Sequence, residues 1–182
     1  MMNLILTLLL LAAVGSCSHL SNKSTSNSNY ESDTESQGEI VDLEKILNRA
    51  EESARPQGKT ILATGRSMIK KNQIFRGSCW DFANAVYNKA GYPQNQRRTP
   101  LKSNIKGPYA DLSTLEPGDW LYFINYSFRE NDHSGIFIEW TDYEKNKAVV
   151  LSYVGGRKKQ PGNYKIYDLK HVYNIIRPKS VN

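Results

Sequence analysis

The sequence is poor in the residues that build cysteine-rich and membrane-spanning folds. Two cysteines in 182 residues are too few for a disulfide-stapled miniprotein or a multi-cysteine zinc site. The chain also lacks any run of about 18 apolar residues, so no ordinary membrane-spanning helix is expected. Histidine is scarce, with three residues at positions 19, 133 and 171. The 39 % of apolar residues still suffices for the core of one domain of ordinary size.

The N-terminal end has the pattern of an export signal. Leu4–Val14 is a largely apolar run of 11 residues, too short to cross a bilayer, and Gly15-Ser16-Cys17 follows it directly. This order resembles the lipobox of bacterial lipoproteins, and the resemblance implies that residues 1–16 are removed and that Cys17 is acylated. The lipid would hold the protein on a membrane surface. An uncleaved anchor, or a secretory signal in which Cys17 has no role, is the alternative.

Residues 17–39 are predicted to be a lipidated cysteine followed by a flexible linker. Seven of the 22 residues from Ser18 to Glu39 are serines, and such a segment has little apolar area to bury. A flexible tether of that length has an r.m.s. reach of about 25 Å. The linker carries a net charge of −3 and the whole chain +6, so the predicted domain over 40–182 carries +9. At a membrane outside the cytoplasm, the expected anionic neighbours are lipid headgroups and cell-wall polymer rather than nucleic acid; a solvated basic surface is the alternative.

The apolar periodicity predicts an α+β domain with its helices first and its strands second. A period of 3.6 residues predicts helices over 40–54, 60–71 and 79–90, and Pro56 is expected to act as a stop after the first. Short runs rich in β-branched and aromatic residues predict strands over 120–124, 134–140, 148–154 and 172–176.

Cys79 is the candidate nucleophile. If Cys17 is acylated, Cys79 is the only thiol left, and an exported free thiol is open to oxidation unless it is buried or has a use. It lies in the first turn of the third predicted helix, after the candidate N-cap Ser78, where backbone N–H groups and the helix dipole favour a thiolate. His133, at the start of a predicted strand, is the candidate base. A capping or surface role is the alternative for this histidine.

Three blocks of the sequence resemble the NlpC-type cell-wall cysteine peptidases. They are GSCWDFANAVYNKAGY with Cys79, LEPGDWLYFINY, and DHSGIFIEW with His133, and they occur in the order of that family. Over roughly residues 60–177, the resemblance implies a papain-like fold in which N-terminal helices pack on a small antiparallel sheet. It also implies a Cys79–His133 pair that needs no metal or cofactor. The chain departs from the family's pattern at Ser78, before the cysteine, and at Trp80-Asp81, after it.

Sites of this kind use a third polar group to orient the histidine. The resemblance implies that this group comes from the next strand. A hairpin that turns near residues 142–146 would place His133 opposite residues 152–154. Ser152 is therefore the first candidate for the third catalytic residue and Tyr153 the second, while Asn163 and His171 stay open.

The resemblance as a whole implies a monomeric, membrane-tethered cysteine hydrolase that cleaves an amide bond in peptidoglycan stem peptides. Ser18, directly after Cys17, favours the periplasmic face of an outer membrane by resemblance to lipoprotein sorting rules. Two alternatives remain: a catalytically silent lipoprotein of the same fold that binds the wall or a partner, and a CHAP-like amidase. The Arg157-Lys158-Lys159 segment is expected to be a solvated loop or a contact for anionic polymer.

Overall fold

Three helices precede six strands in the structure, a computed structural model that describes residues 35–180, with side chains described from Leu43 onward. The helices pack on a six-stranded antiparallel sheet, so the prediction of an α+β domain with N-terminal helices on an antiparallel sheet is confirmed. The predicted signal segment, Cys17 and the linker up to residue 34 lie outside the described residues.

The helices lie close to their predicted positions. Helix α1 spans Glu35–Ser53, α2 spans Pro56–Lys70 and α3 spans Cys79–Lys89. Helix α1 therefore begins earlier than the predicted start at residue 40. Pro56 does more than end a helix, because it is the first residue of α2. Its missing N–H costs nothing there, since the first N–H groups of a helix have no partner within the helix.

The sheet has two strands more than the sequence predicts. Its strands are β1 (Arg97–Lys102), β2 (Trp120–Asn125), β3 (Asn131–Asp142), β4 (Lys147–Ser152), β5 (Asn163–Asp168) and β6 (Val172–Pro178). Their order is β1-β6-β2-β3-β4-β5, with antiparallel pairing throughout. The unpredicted strands β1 and β5 are the two edges. Strand β1 is largely exposed and β5 has mixed exposure. Neither contains an apolar run, and β1 contains Pro100, which is tolerated at an edge.

Both faces of the sheet are buried, and each has its own apolar cluster. The first cluster lies under the helices and includes Ile61, Met68, Phe82, Val86, Trp120, Ile136 and Leu151. The second lies on the opposite face and includes Leu121, Phe123, Phe137, Val150, Leu169 and Val172, with Leu112 and Leu115 from the β1–β2 connection packed over it. Alternate residues of the central strands therefore enter opposite clusters, as the two-residue period of a strand requires.

The turn before β2 is fixed from two directions. A Cβ atom at Gly58 of α2 would lie 2.3 Å from the carbonyl oxygen of Pro117, so only glycine permits this close approach. Asp119 is buried, and both of its carboxylate oxygens accept hydrogen bonds at 2.6 Å from the guanidinium of Arg177 on β6. The turn is thereby held against both α2 and β6.

Tyr87 joins α3 to the sheet through its buried hydroxyl group. The hydroxyl oxygen lies 2.7 Å from the carbonyl oxygen of Gly118 and 2.9 Å from that of Ile176, and it accepts a hydrogen bond from the N–H of Trp120 at 3.0 Å. One side chain therefore contacts backbone groups of the turn before β2, of β2 and of β6. Burial raises the pKa of Tyr87 well above its ordinary value, so the hydroxyl stays protonated and able to donate.

We expect Tyr87→Phe to lower the free energy of unfolding by about 1–3 kcal/mol, because it leaves the buried Trp120 N–H without an acceptor. Urea unfolding followed by circular dichroism measures the change. Tyr143→Phe is the matched control, since Tyr143 is 47 % exposed, and it should change stability little. Equal stability of the two variants would contradict this role for the hydroxyl.

Candidate active site

Cys79 is the first residue of α3, and a closed cap fixes its backbone. Ser78 is the N-cap, and the carboxylate of Asp81 accepts hydrogen bonds from the Ser78 backbone N–H at 2.7 Å and from the Ser78 hydroxyl at 2.9 Å. These contacts hold the pKa of Asp81 below its ordinary value. Ser78 and Asp81 thus form a capping pair that starts the helix at the cysteine.

The loop before Cys79 is held by Tyr153. The Tyr153 hydroxyl accepts a hydrogen bond from the backbone N–H of Phe75 at 2.9 Å and donates to the Phe75 carbonyl at 2.6 Å. The Tyr153 ring stacks on Phe82 of α3 with ring centroids 5.0 Å apart. Tyr153 is the second candidate for orienting the histidine, but its hydroxyl binds the backbone of the loop that precedes Cys79.

His133 lies near the start of β3 and contacts two hydroxyl groups. Its Nε2 atom lies 2.9 Å from Ser152 Oγ at the end of β4 and 3.3 Å from the Tyr167 hydroxyl on β5. The two hydroxyl oxygens are themselves 2.8 Å apart, so the three groups form a closed triangle. The imidazole also packs edge-on against Phe123 at 5.4 Å between ring centroids. The ring is therefore held through Nε2, which leaves Nδ1 free of this triangle.

Cys79 and His133 line the same cavity, which has a volume of about 550 Å³. Ser78 and Tyr153 line it on the α3 side, and Tyr167 lines it on the β5 side. A helix-start cysteine and a strand histidine that share one cavity provide the two groups that nucleophilic amide cleavage needs.

Burial controls the protonation of both groups. It raises the pKa of the Cys79 thiol, although the backbone N–H groups of Ser134, Trp80 and Cys79 itself oppose the rise. Burial lowers the pKa of His133 to about 4, with Asp132 opposing the fall and Lys165 adding to it. The N–H groups at the helix start thus lower the pKa of Cys79, as predicted, but desolvation raises it by more. The resting site holds a neutral thiol and a neutral imidazole near pH 7.

Among the described residues, the remaining candidates for the third residue form no hydrogen bond with His133. His171 contacts Tyr126 through Nδ1 and stacks on Tyr109 with ring centroids 4.2 Å apart. Asn163 pairs with Ser152 in the β4–β5 ladder. Of the residues singled out from the sequence, Ser152 is the one that the structure brings to His133.

Tyr167 and Lys165 are site residues that the sequence pattern does not reveal. Both lie on β5, whose alternation is obscured because Lys165 and Ile166 are exposed together. The segment NYKIYD carries a weak signal, two tyrosines and an isoleucine between Gly162 and Leu169, which is compatible with a short strand.

Two general tests of the described residues give plain results. Within residues 35–180, no group of three or more His, Cys, Asp or Glu side chains is arranged to hold a metal ion. In the same part of the chain, no helix is both long and apolar enough to cross a membrane.

Comparisons of the chain with protein-family models, with curated proteins and with solved structures returned no match.

Acid should destabilise the fold through His133. Its pKa is about 4 in the folded chain and 6.5 ordinarily, so the unfolded chain binds the proton first as the pH falls. The contribution of neutral His133 to the free energy of unfolding is therefore fully present above pH 6.5. It is lost between pH 6.5 and 4, by about 3 kcal/mol in total.

Urea unfolding at several pH values measures this loss. The variant His133→Gln lacks the titrating group and should lose less stability over the same pH interval, while His171→Gln is the matched histidine control. An identical pH dependence in wild type and His133→Gln would contradict the assignment.

Proposed function

We propose that the protein is a cysteine hydrolase of the NlpC type with a papain-like catalytic domain, and that it cleaves an amide bond in peptidoglycan stem peptides. The observation that carries the proposal is the shared cavity, in which Cys79 starts a helix and His133 is held at 2.9 Å from Ser152. The resemblance of three sequence blocks to the NlpC-type peptidases supports the same chemistry and supplies the substrate class.

The mechanism begins from the neutral pair. With a proton on Nε2 donated to Ser152 Oγ, the free Nδ1 of His133 takes the proton of the Cys79 thiol as the sulfur attacks the amide carbonyl. Backbone N–H groups at the start of α3 stabilise the oxyanion that forms. The imidazolium then protonates the leaving amine, and water hydrolyses the thioester with His133 acting again as base. Ser152 and Tyr167 hold the ring in position throughout.

The location we propose is the cell envelope, with acylated Cys17 anchoring the chain in the membrane and the outer membrane favoured. A tether of about 25 Å would let the domain sample wall material close to that membrane. The charge of +9 on residues 40–182 suits a domain that works beside anionic headgroups and wall polymer.

Digestion of purified sacculi by the purified protein tests the proposal. Wild type should release muropeptides whose masses identify the cleaved amide, and a cut between sugar and peptide would indicate a CHAP-like amidase instead. Cys79→Ala and His133→Ala should each reduce release by at least about a hundredfold, because they remove the nucleophile and the base. His171→Ala is the matched histidine control and should retain activity. Undiminished release by Cys79→Ala would refute the nucleophile.

A catalytically silent module that binds the wall or a partner is the second candidate. The observation in its favour is electrostatic: burial raises the pKa of Cys79 and lowers that of His133, which disfavours the thiolate–imidazolium pair. The groups that contact His133 Nε2 are also two hydroxyls rather than a carboxylate, so no negative charge there stabilises an imidazolium.

Alkylation of Cys79 by iodoacetamide at pH 7 separates the two candidates. In a hydrolase, His133 removes the thiol proton, so His133→Ala should slow alkylation at least about tenfold. In a silent module, the histidine does not assist the thiol and the two rates should agree. Mass spectrometry of the peptide that contains Cys79 measures the rate without interference from Cys17.

A further inference from the structure

Two lysines stand on the wall of the catalytic cavity. Lys165 comes from β5 and Lys158 from the short helical turn Gly156–Lys158, and both line the cavity together with Cys79 and His133. Among the residues that the structure describes, neither lysine forms an ion pair. Several other surface cations are paired, for example Lys147 with Asp168 at 3.5 Å. Two unpaired cations therefore face the space in which a substrate would lie.

Lys165 is close enough to His133 to act on it electrostatically. The two side chains line the same cavity, and the positive charge of Lys165 adds to the fall in the pKa of the imidazole. The opposing charge in the cavity is Asp132, which accepts a hydrogen bond from the Tyr173 hydroxyl. Two lysines and one carboxylate thus line the cavity wall, so cations outnumber carboxylates there.

The surroundings of the lysines favour a specific ion contact over a fully solvated one. Val154 and Ile166, both apolar and exposed, line the cavity beside them. Apolar neighbours reduce the water available to a bound anion, so a charged contact there is stronger than on an open polar surface.

We propose that Lys158 and Lys165 form a carboxylate-binding subsite of the catalytic cavity. The proposal of a subsite depends only on the residues and charges that line the cavity. The conclusion for substrate, that the amide cleaved belongs to a peptide bearing a free carboxylate beside the scissile bond, rests on the proposed function. A carboxylate bound at Lys165 also offsets the charge that depresses the basicity of His133, so binding of the correct substrate strengthens the base.

A matched pair of reagents tests the subsite without any hydrolysis. Iodoacetate and iodoacetamide both alkylate a thiolate with loss of iodide, but the first carries a carboxylate and the second a neutral amide. The measured quantity is the rate of Cys79 alkylation by iodoacetate divided by the rate with iodoacetamide, both at pH 9. This ratio is then divided by the same ratio for a small free thiol. The full chain is used, and the peptide that contains Cys79 is quantified by mass spectrometry.

We expect this ratio to fall at least about threefold in the double variant Lys158→Gln, Lys165→Gln, and to fall in wild type as salt is added. Lys59→Gln, Lys89→Gln is the matched control, because it removes two exposed lysines outside the cavity, and it should leave the ratio unchanged. Asp132→Asn should raise the ratio, since it removes the one opposing charge described there.

An equal ratio in wild type and in the Lys158/Lys165 variant would overturn the subsite. So would a Cys79 that reacts with neither reagent at pH 9, because the cavity would then exclude a small carboxylate. Charge selectivity at Cys79 without release of muropeptides would leave the subsite intact and reject the hydrolase.

Discussion

The position of α3 on the sheet depends on one buried hydroxyl group, that of Tyr87. It meets backbone groups of Gly118, Trp120 and Ile176, so one side chain joins the helix to the turn before β2, to β2 and to β6. Cys79 lies eight residues earlier on the same helix, about 12 Å along its axis. Strand β3 pairs directly with β2, with His133 opposite Phe123. The hydroxyl thus sets where the cysteine lies relative to the strand that carries the histidine, and the stacked rings of Phe82 and Tyr153 hold the intervening turns.

The features that the sequence predicts well are those in which local pattern and burial agree. Helix α3 has both its N-cap, Ser78, and its apolar stripe in the local sequence, and the structure begins it at Cys79 as expected. Strands β2, β3, β4 and β6 are apolar runs because both faces of the sheet are buried there. Strands β1 and β5 are edges with mixed exposure, so their pattern is weak, and their place in the sheet comes from pairing partners distant in sequence. The sequence does not reveal Tyr167 and Lys165 as site residues, because no spacing within β5 indicates that this strand lines one side of the cavity.

The same burial that holds the site together determines its charge state. Cys79 is covered by the packing of α3, and His133 is enclosed by Phe123 and Tyr167, so each loses water that would stabilise its ionised form. Three backbone N–H groups around the sulfur offset part of the solvation that the thiolate loses, but not all of it. The groups beside the imidazole are two hydroxyls, which contribute no negative charge to stabilise a preformed thiolate–imidazolium pair against this burial. Proton transfer in the proposed mechanism therefore accompanies attack on the substrate rather than preceding it.

The two hydroxyls beside Nε2 do not determine which nitrogen of His133 carries the proton. In the proposed mechanism, the cysteine determines it. A carboxylate or carbonyl beside Nε2 only accepts, and so it forces the proton onto Nε2. Ser152 and Tyr167 can each donate or accept. A chain from Tyr167 through Ser152 to Nε2 satisfies every hydroxyl, yet it leaves Nδ1 protonated and useless as a base. In the proposed mechanism the Cys79 thiol faces Nδ1, and a thiol kept protonated by burial is a donor that favours the productive tautomer. Desolvation of Cys79, which weighs against a thiolate, thus helps to set the imidazole in the form that the proposed reaction requires.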